Sequence, residues 1–134
     1  MARRLGIVLA VVLLAAGCGV RNSKPYTAEL TAPCLRSHGF SGVTTEPGDV
    51  GLIAGFAEHG GLKATSASGN VLTIAFTADP GSTTSTEDAF RNHAPASLRS
   101  HMSDIMGAER NAVLVWTVTP KPDEFDAARR CLKG

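Results

Sequence analysis

The sequence predicts a two-layer α+β domain, with helices packed on one face of a three-stranded, mainly antiparallel sheet. Three observations predict it. Two alternating stretches flank a Gly-Asn turn and read as a β-hairpin, a third stretch rich in β-branched and aromatic residues reads as a more central strand, and helical spacings lie before, between and after them. The resulting order is α-α-β-β-α-β-α, and a hairpin set among helices argues for segregated layers.

Thr31 stands as the N-cap of a short helix running to His38, with Pro33 in its first turn and Gly39 as its stop. Cys34, Leu35 and His38 share one side of it. Phe40 to Gly48 is rich in Gly, Ser and Thr and reads as loop. Asp49 then precedes Val50, Ile53, Phe56 and Ala57, a helical spacing that ends at His59. Its internal Gly51 and Gly55 each weaken it by about 1 kcal/mol relative to Ala. Leu62 to Ala67 and Val71 to Thr77 form the hairpin, and Gly69-Asn70 suits a tight turn that demands positive φ. Leu72, Ile74 and Phe76 make one apolar face, while Thr73, Ala75 and Thr77 make a small, mostly polar one, so the sheet is expected to bury one side.

Ser85 or Thr86 caps the next helix, Glu87 and Asp88 fall in its first turn, and Pro95 breaks it. From Pro95 a second segment carries Leu98, Met102, Ile105 and Met106 along one buried stripe and stops at Gly107. Ala112 to Val118 is the third strand. A right-handed crossover returning it parallel to the second strand would place it beside the first. Pro122, Asp123 and Glu124 open the closing helix, whose buried face carries Phe125, Ala128 and Leu132.

The amino terminus has a different character. Met1 to Arg4 carries two positive charges, Leu5 to Ala16 is apolar apart from Gly6, and Gly17-Cys18 follows. This is the pattern of a secretory signal peptide, and the apolar run falls short of the roughly 20 residues that span a bilayer. The residues after Arg3-Arg4 do not resemble a twin-arginine signal, so general secretion is the expected route.

Leu14-Ala15-Ala16-Gly17-Cys18 resembles the lipobox of bacterial lipoprotein signal peptides, with Leu14 one position further from the cysteine than in the commonest pattern. The resemblance covers residues 1–18. It implies cleavage between Gly17 and Cys18, a diacylglyceryl group on Cys18, and a location on the extracytoplasmic face of a bacterial membrane. Two acyl chains hold firmly where one binds reversibly. Residues 1–17 are then signal peptide, 18–26 a short polar lipidated tether, and 27–134 a single domain. Cys34 to Phe40 also resembles a segment of small secreted bacterial lipoproteins of unknown function, which implies no activity.

If lipid occupies Cys18, then Cys34 and Cys131 remain as an even pair in an oxidising compartment, where a disulfide is favoured. Two buried free thiols or a metal pair are the alternatives.

The chain carries 13 basic and 12 acidic residues, a formal charge of +1. They are scattered, with no basic stripe for nucleic acid and no polybasic cluster for anionic lipid. Catalytic motifs are equally absent: no Gly-x-Ser-x-Gly elbow, phosphate loop or Cys-x-x-Cys pair occurs. No cofactor or metal is expected. His38, His59, His93 and His101 do not follow a ligand spacing, and Pro95 separates the last two. Trp116, Met102 and Met106 either line an apolar pocket or belong to the core. Thr65, Thr73 and Thr77, with the Ser/Thr loop at 82–86, offer hydroxyls to a polar ligand or simply to water.

The expected function is therefore a membrane-anchored lipoprotein with a non-catalytic domain that binds a partner protein, an envelope component or a small ligand. The alternative is an exported hydrolase or metal-dependent enzyme whose histidine and carboxylate are brought together by folding.

Overall fold

The computed structural model describes residues 23–134, so the signal segment, the Gly17–Cys18 bond and the first part of the tether lie outside the described residues. Helix α1 spans Ala28–Ser37 and starts a turn earlier than Thr31: extended Thr27 is the N-cap, and its hydroxyl accepts the Leu30 N–H at 3.2 Å. Pro33 lies inside the helix. Both Pro33 and Glu29, whose carbonyl loses its helical partner there, are exposed, so the helix is broken on its solvent side. Thr31 is instead fully buried, and its hydroxyl accepts the Lys133 N–H.

Strand β1 (Ser41–Thr44) occupies part of the segment read as loop. It is an edge strand with irregular register against its neighbour, steadied by the Arg36 guanidinium donating to the Val43 carbonyl at 3.2 Å. The single helix expected from Asp49 to His59 is two separate turns, α2 (Pro47–Val50) and α3 (Leu52–Gly55). Gly51 divides them at φ 90° and ψ 164°, a backbone conformation that glycine adopts without steric cost.

The hairpin forms as expected from β2 (Gly61–Thr65) and β3 (Val71–Phe76), with Leu62 opposite Ile74 and Ala64 opposite Leu72. Gly69 supplies the positive φ of the turn; Asn70 does not. Its buried side chain instead reaches the last strand's exit, donating to the Val118 carbonyl at 3.0 Å and accepting from the Thr117 hydroxyl at 2.9 Å.

A short 3₁₀ turn, Pro80–Ser82, leads into α4 (Thr83–His93). Asp79 caps that turn through the Ser82 N–H at 2.9 Å, whereas Ser85 and Thr86 lie inside the helix and bond the Ser82 carbonyl. Pro95 does end α4. Two single turns follow, α5 (Ala96–Arg99) and α6 (Met102–Ile105), and the chain passes directly into β4 (Met106–Glu109). Met106 and Gly107, expected to close a helix, are strand residues. Strand β5 (Ala112–Trp116) and helix α7 (Pro122–Cys131) complete the chain.

The sheet thus has five strands rather than three, in the order β1-β2-β3-β5-β4, and every pairing is antiparallel. β5 lies on the far side of β3 from β2, so the expected parallel return beside the first hairpin strand does not occur. Helices also cover both faces rather than one. Leu62, Leu72, Ile74, Phe76, Leu114 and Trp116 pack with residues of α1 and α7. Ala75, which must point the other way from Ile74 and Phe76, packs with Val50, Ala54 and Phe90 from α2, α3 and α4. Central β3 is buried on both sides because Ala75 is small enough for α3 to approach closely. Among the described residues, no helix is long and apolar enough to cross a membrane.

Asn111, 1% exposed in the β4–β5 turn, ties the chain's entry to this sheet. It accepts the Tyr26 N–H at 2.8 Å and donates to the carbonyls of Tyr26 and Thr77, each at 2.9 Å. Asn111→Ala strands these buried partners and is expected to cost about 3 kcal/mol or more of unfolding free energy in urea titration; a loss under about 1 kcal/mol would show that the entry strand is held by other means.

Candidate functional site

Where β5 ends, the chain leaves the sheet through Thr119 and Pro120 before α7 begins at Pro122. On the neighbouring edge, the single turn of α6 runs straight into β4. Between these two walls lies a cleft of about 450 Å³, within the range of about 300–1,000 Å³ typical of small-molecule sites. Trp116 forms its floor, Phe125 and Pro122 one wall, and Ile105 and Gly107 the other. The space has an identifiable origin. Gly107 pairs with Leu114 and so points to the same face as Trp116, and a Cβ built on it would meet no atom within 4 Å.

Polarity in the cleft is one-sided. Asp104 and Asp126 stand at its rim, and none of its lining residues is basic. Trp116 is only 2% exposed, and its indole Nε1 is buried without any hydrogen-bond partner. An unpaired buried donor costs about 1–3 kcal/mol, and this one is out of contact with solvent. Of the three residues read as pocket or core, Met102 is core alone, while Trp116 and Met106 serve both roles.

Cys34 and Cys131 come together at disulfide distance, with Cα atoms 5.3 Å apart. They join the ends of α1 and α7. His38 Nδ1 lies 3.5 Å from the Cys34 sulfur and 3.6 Å from that of Cys131, so these three residues hold the one group of potential metal donors found among the described residues. With the two sulfurs bonded to each other, neither is free to ligate as thiolate.

A second cavity, of about 390 Å³, lies between the hairpin turn and the start of α7. Glu124 dominates its chemistry. The Ser66 hydroxyl donates to Oε1 at 2.7 Å, the Ser68 hydroxyl donates to the same oxygen, and the Lys121 N–H donates to Oε2 at 3.0 Å. These donors, Ser66 foremost, hold the carboxyl down at about 2 against an ordinary 4.5. It is a latch between hairpin and helix, not a proton carrier near neutral pH. Sequence reading missed it because more than fifty residues separate the partners.

The remaining expected groups do not assemble. His38, His93 and His101 are exposed, and among the described residues no histidine has a carboxylate partner within ion-pair or hydrogen-bond reach. His93 bonds the Ala89 carbonyl on its own helix at 2.8 Å, and His101 lies on a different helical piece. The hydroxyl face is likewise dispersed: Thr77 is buried and donates to the Asp79 and Asn111 carbonyls, Thr73 lies beneath α3 and α4, and residues 82–86 fold into or against α4.

No protein-family model matches the chain, and comparisons with curated proteins and with solved structures find no significant match.

Because the folded carboxyl of Glu124 is lower than its unfolded value, its contribution to stability is full above about pH 4.5 and is lost as pH falls towards 2. Glu124→Gln is expected to flatten the acid limb of thermal stability in that window. An unchanged limb in melting curves across the range would show that the latch is not made in solution.

Proposed function

We propose that this chain is a bacterial lipoprotein, anchored through lipid on Cys18 at the extracytoplasmic face of the membrane. Its domain binds a small amphipathic ligand with a positively charged end, without catalysing a reaction. The observation that carries the binding reading is the cleft over Trp116: an apolar floor and walls, and an acidic rim with no basic residue. An apolar body would displace poorly held water from the floor, while Asp104 and Asp126 favour a cation over an anion at the mouth. The alternative enzyme reading draws no support from the histidines, which stand apart from every carboxylate among the described residues.

The anchor rests on the lipobox resemblance and on cysteine parity. With Cys18 acylated, Cys34 and Cys131 form a disulfide closing a loop with a sequence separation of 97. In the chain-entropy model, a loop of about 100 residues is worth roughly 4.7 kcal/mol, a large share of a small domain's stability.

Trp116 is the chain's single tryptophan, so its fluorescence reports on the cleft directly. Titration with decyltrimethylammonium below its micelle concentration is expected to give a saturable spectral shift, and decyl sulfate a much weaker one. Gly107→Leu, whose Cβ would meet no atom within 4 Å and whose side chain would occupy the cleft, should abolish the response; Asp104→Asn with Asp126→Asn should weaken it by up to about fivefold each. Equal responses to both detergents, or a response that survives Gly107→Leu, would overturn the assignment.

Intact-mass measurement of the mature protein tests the anchor and the bridge together. The expected mass is that of residues 18–134 with acylation on Cys18 and two hydrogens missing. An unmodified terminus at another residue would remove the anchor, and two alkylatable thiols would remove the disulfide.

A further inference from the structure

We infer that Leu52 and Phe56 form a second contact with the bilayer, fixing which end of the domain faces the membrane; this rests on the lipid-anchor reading above. Leu52 is 69% exposed and Phe56 is 84% exposed, the two most open large apolar side chains among the described residues. They belong to one turn, since the Phe56 N–H bonds the Leu52 carbonyl at 3.2 Å, and side chains four residues apart on a turn share a face. Nothing among the described residues covers them.

Their position in the fold gives them an occupant. The Ala28 N–H bonds the His59 carbonyl at 3.1 Å, so the loop just after Phe56 is joined to the first residue of α1. Phe56 and His59 are three residues apart, at most ~11 Å along the chain. The entry segment lies at this same end of the sheet: Arg110 donates to the Lys24 carbonyl at 2.6 Å and stacks over the Tyr26 ring at 4.1 Å, while Asn111 holds Tyr26 on both backbone groups. From Thr27 back to Cys18 the chain can reach at most ~32 Å. An anchored domain therefore carries its most exposed apolar pair beside the point where its leash attaches, with the bilayer inside that leash's range.

The charges around the pair are few and of both signs. Glu46, Asp49 and Glu58 are the charged side chains on and beside α2 and α3, and the segment from Thr44 to Gly60 contains no lysine or arginine. Lys24 and Arg110 stand at the same end of the sheet, so the charge there is mixed and favours neither sign of headgroup. The contact is apolar insertion into a zwitterionic interface, where such side chains enter about 5–10 Å. Trp116 and the cleft lie at the opposite end of β5, five residues away at ~3.4 Å each, so the cleft opens away from the membrane.

The test couples residues 18–134 through the Cys18 thiol to a maleimide lipid in phosphatidylcholine vesicles, which makes it independent of native acylation. Phe56→Trp is introduced, and the vesicles are made with or without phosphatidylcholine brominated in the upper acyl chain. The emission added by Phe56→Trp is expected to fall by about half or more on bromination and to shift to the blue, while emission from Trp116 in the parent protein stays unquenched. Adding Leu52→Ser should reduce the quenching, and raised salt should not. Failure of bromination to quench the added emission would overturn the inference while leaving the anchor intact. So would sedimentation of the uncoupled domain as a dimer that Phe56→Ser dissolves, since the pair would then be covered by a second copy of the chain.

Discussion

The buried amide of Asn111 sets how the whole domain is strung. A five-stranded sheet has two ends, and nothing in its hydrogen-bond ladder decides from which one the chain should enter. Asn111 decides it by pairing with both backbone groups of Tyr26 and with the end of β3 through the Thr77 carbonyl. Its own carbonyl accepts the Thr77 N–H at 2.7 Å. Arg110 beside it, at φ 52°, turns its guanidinium back over Tyr26. The entry segment thus lies at the starts of β2 and β5. The cleft is left to the other end.

What could be read in the sequence was local. The hairpin, α1, α7 and the break at Pro95 each depend on residues within a few positions of one another, although the cap of α1 is Thr27 rather than Thr31 and Gly69 alone supplies the turn's positive φ. β1 and β4 were illegible for the same reason in reverse. Ser41–Thr44 and Met106–Glu109 each contain a glycine and lack an alternating apolar pattern, and both are edge strands stabilised by a neighbour rather than by their own composition. The one-sided sheet fails on size: Ala75 and Thr73 read as a face for water, but their smallness is what lets α3 and α4 settle against the strand.

The site was less legible than the fold because its parts are long-range. Cys34 and Cys131 could be matched by counting, because reading Cys18 as the lipidated residue leaves a single pair. The Ser66–Glu124 latch spans 58 residues and the Asn111–Tyr26 clamp spans 85, and neither leaves a pattern in sequence. Gly107 is the instructive case. As a sequence signal it marked the end of a helix, and in the fold it is a strand residue whose missing side chain opens the cleft.

That cleft is also preformed, which bears on how it can bind. One of its walls is α7, a ten-residue helix. Helix α7 is held at three points along its length: near its start by Glu124 to the hairpin serines, in its last turns by Arg129 to Glu109 of β4 at 2.9 Å, and at its end by Cys131 beside Cys34. The ion pair is exposed and contributes little by itself, about 0–1 kcal/mol. Its geometry matters more, because it fixes α7 against β4, the two elements that carry Phe125 and Gly107. A ligand entering between them orders few side chains, so more of the free energy gained by covering Trp116 remains as affinity.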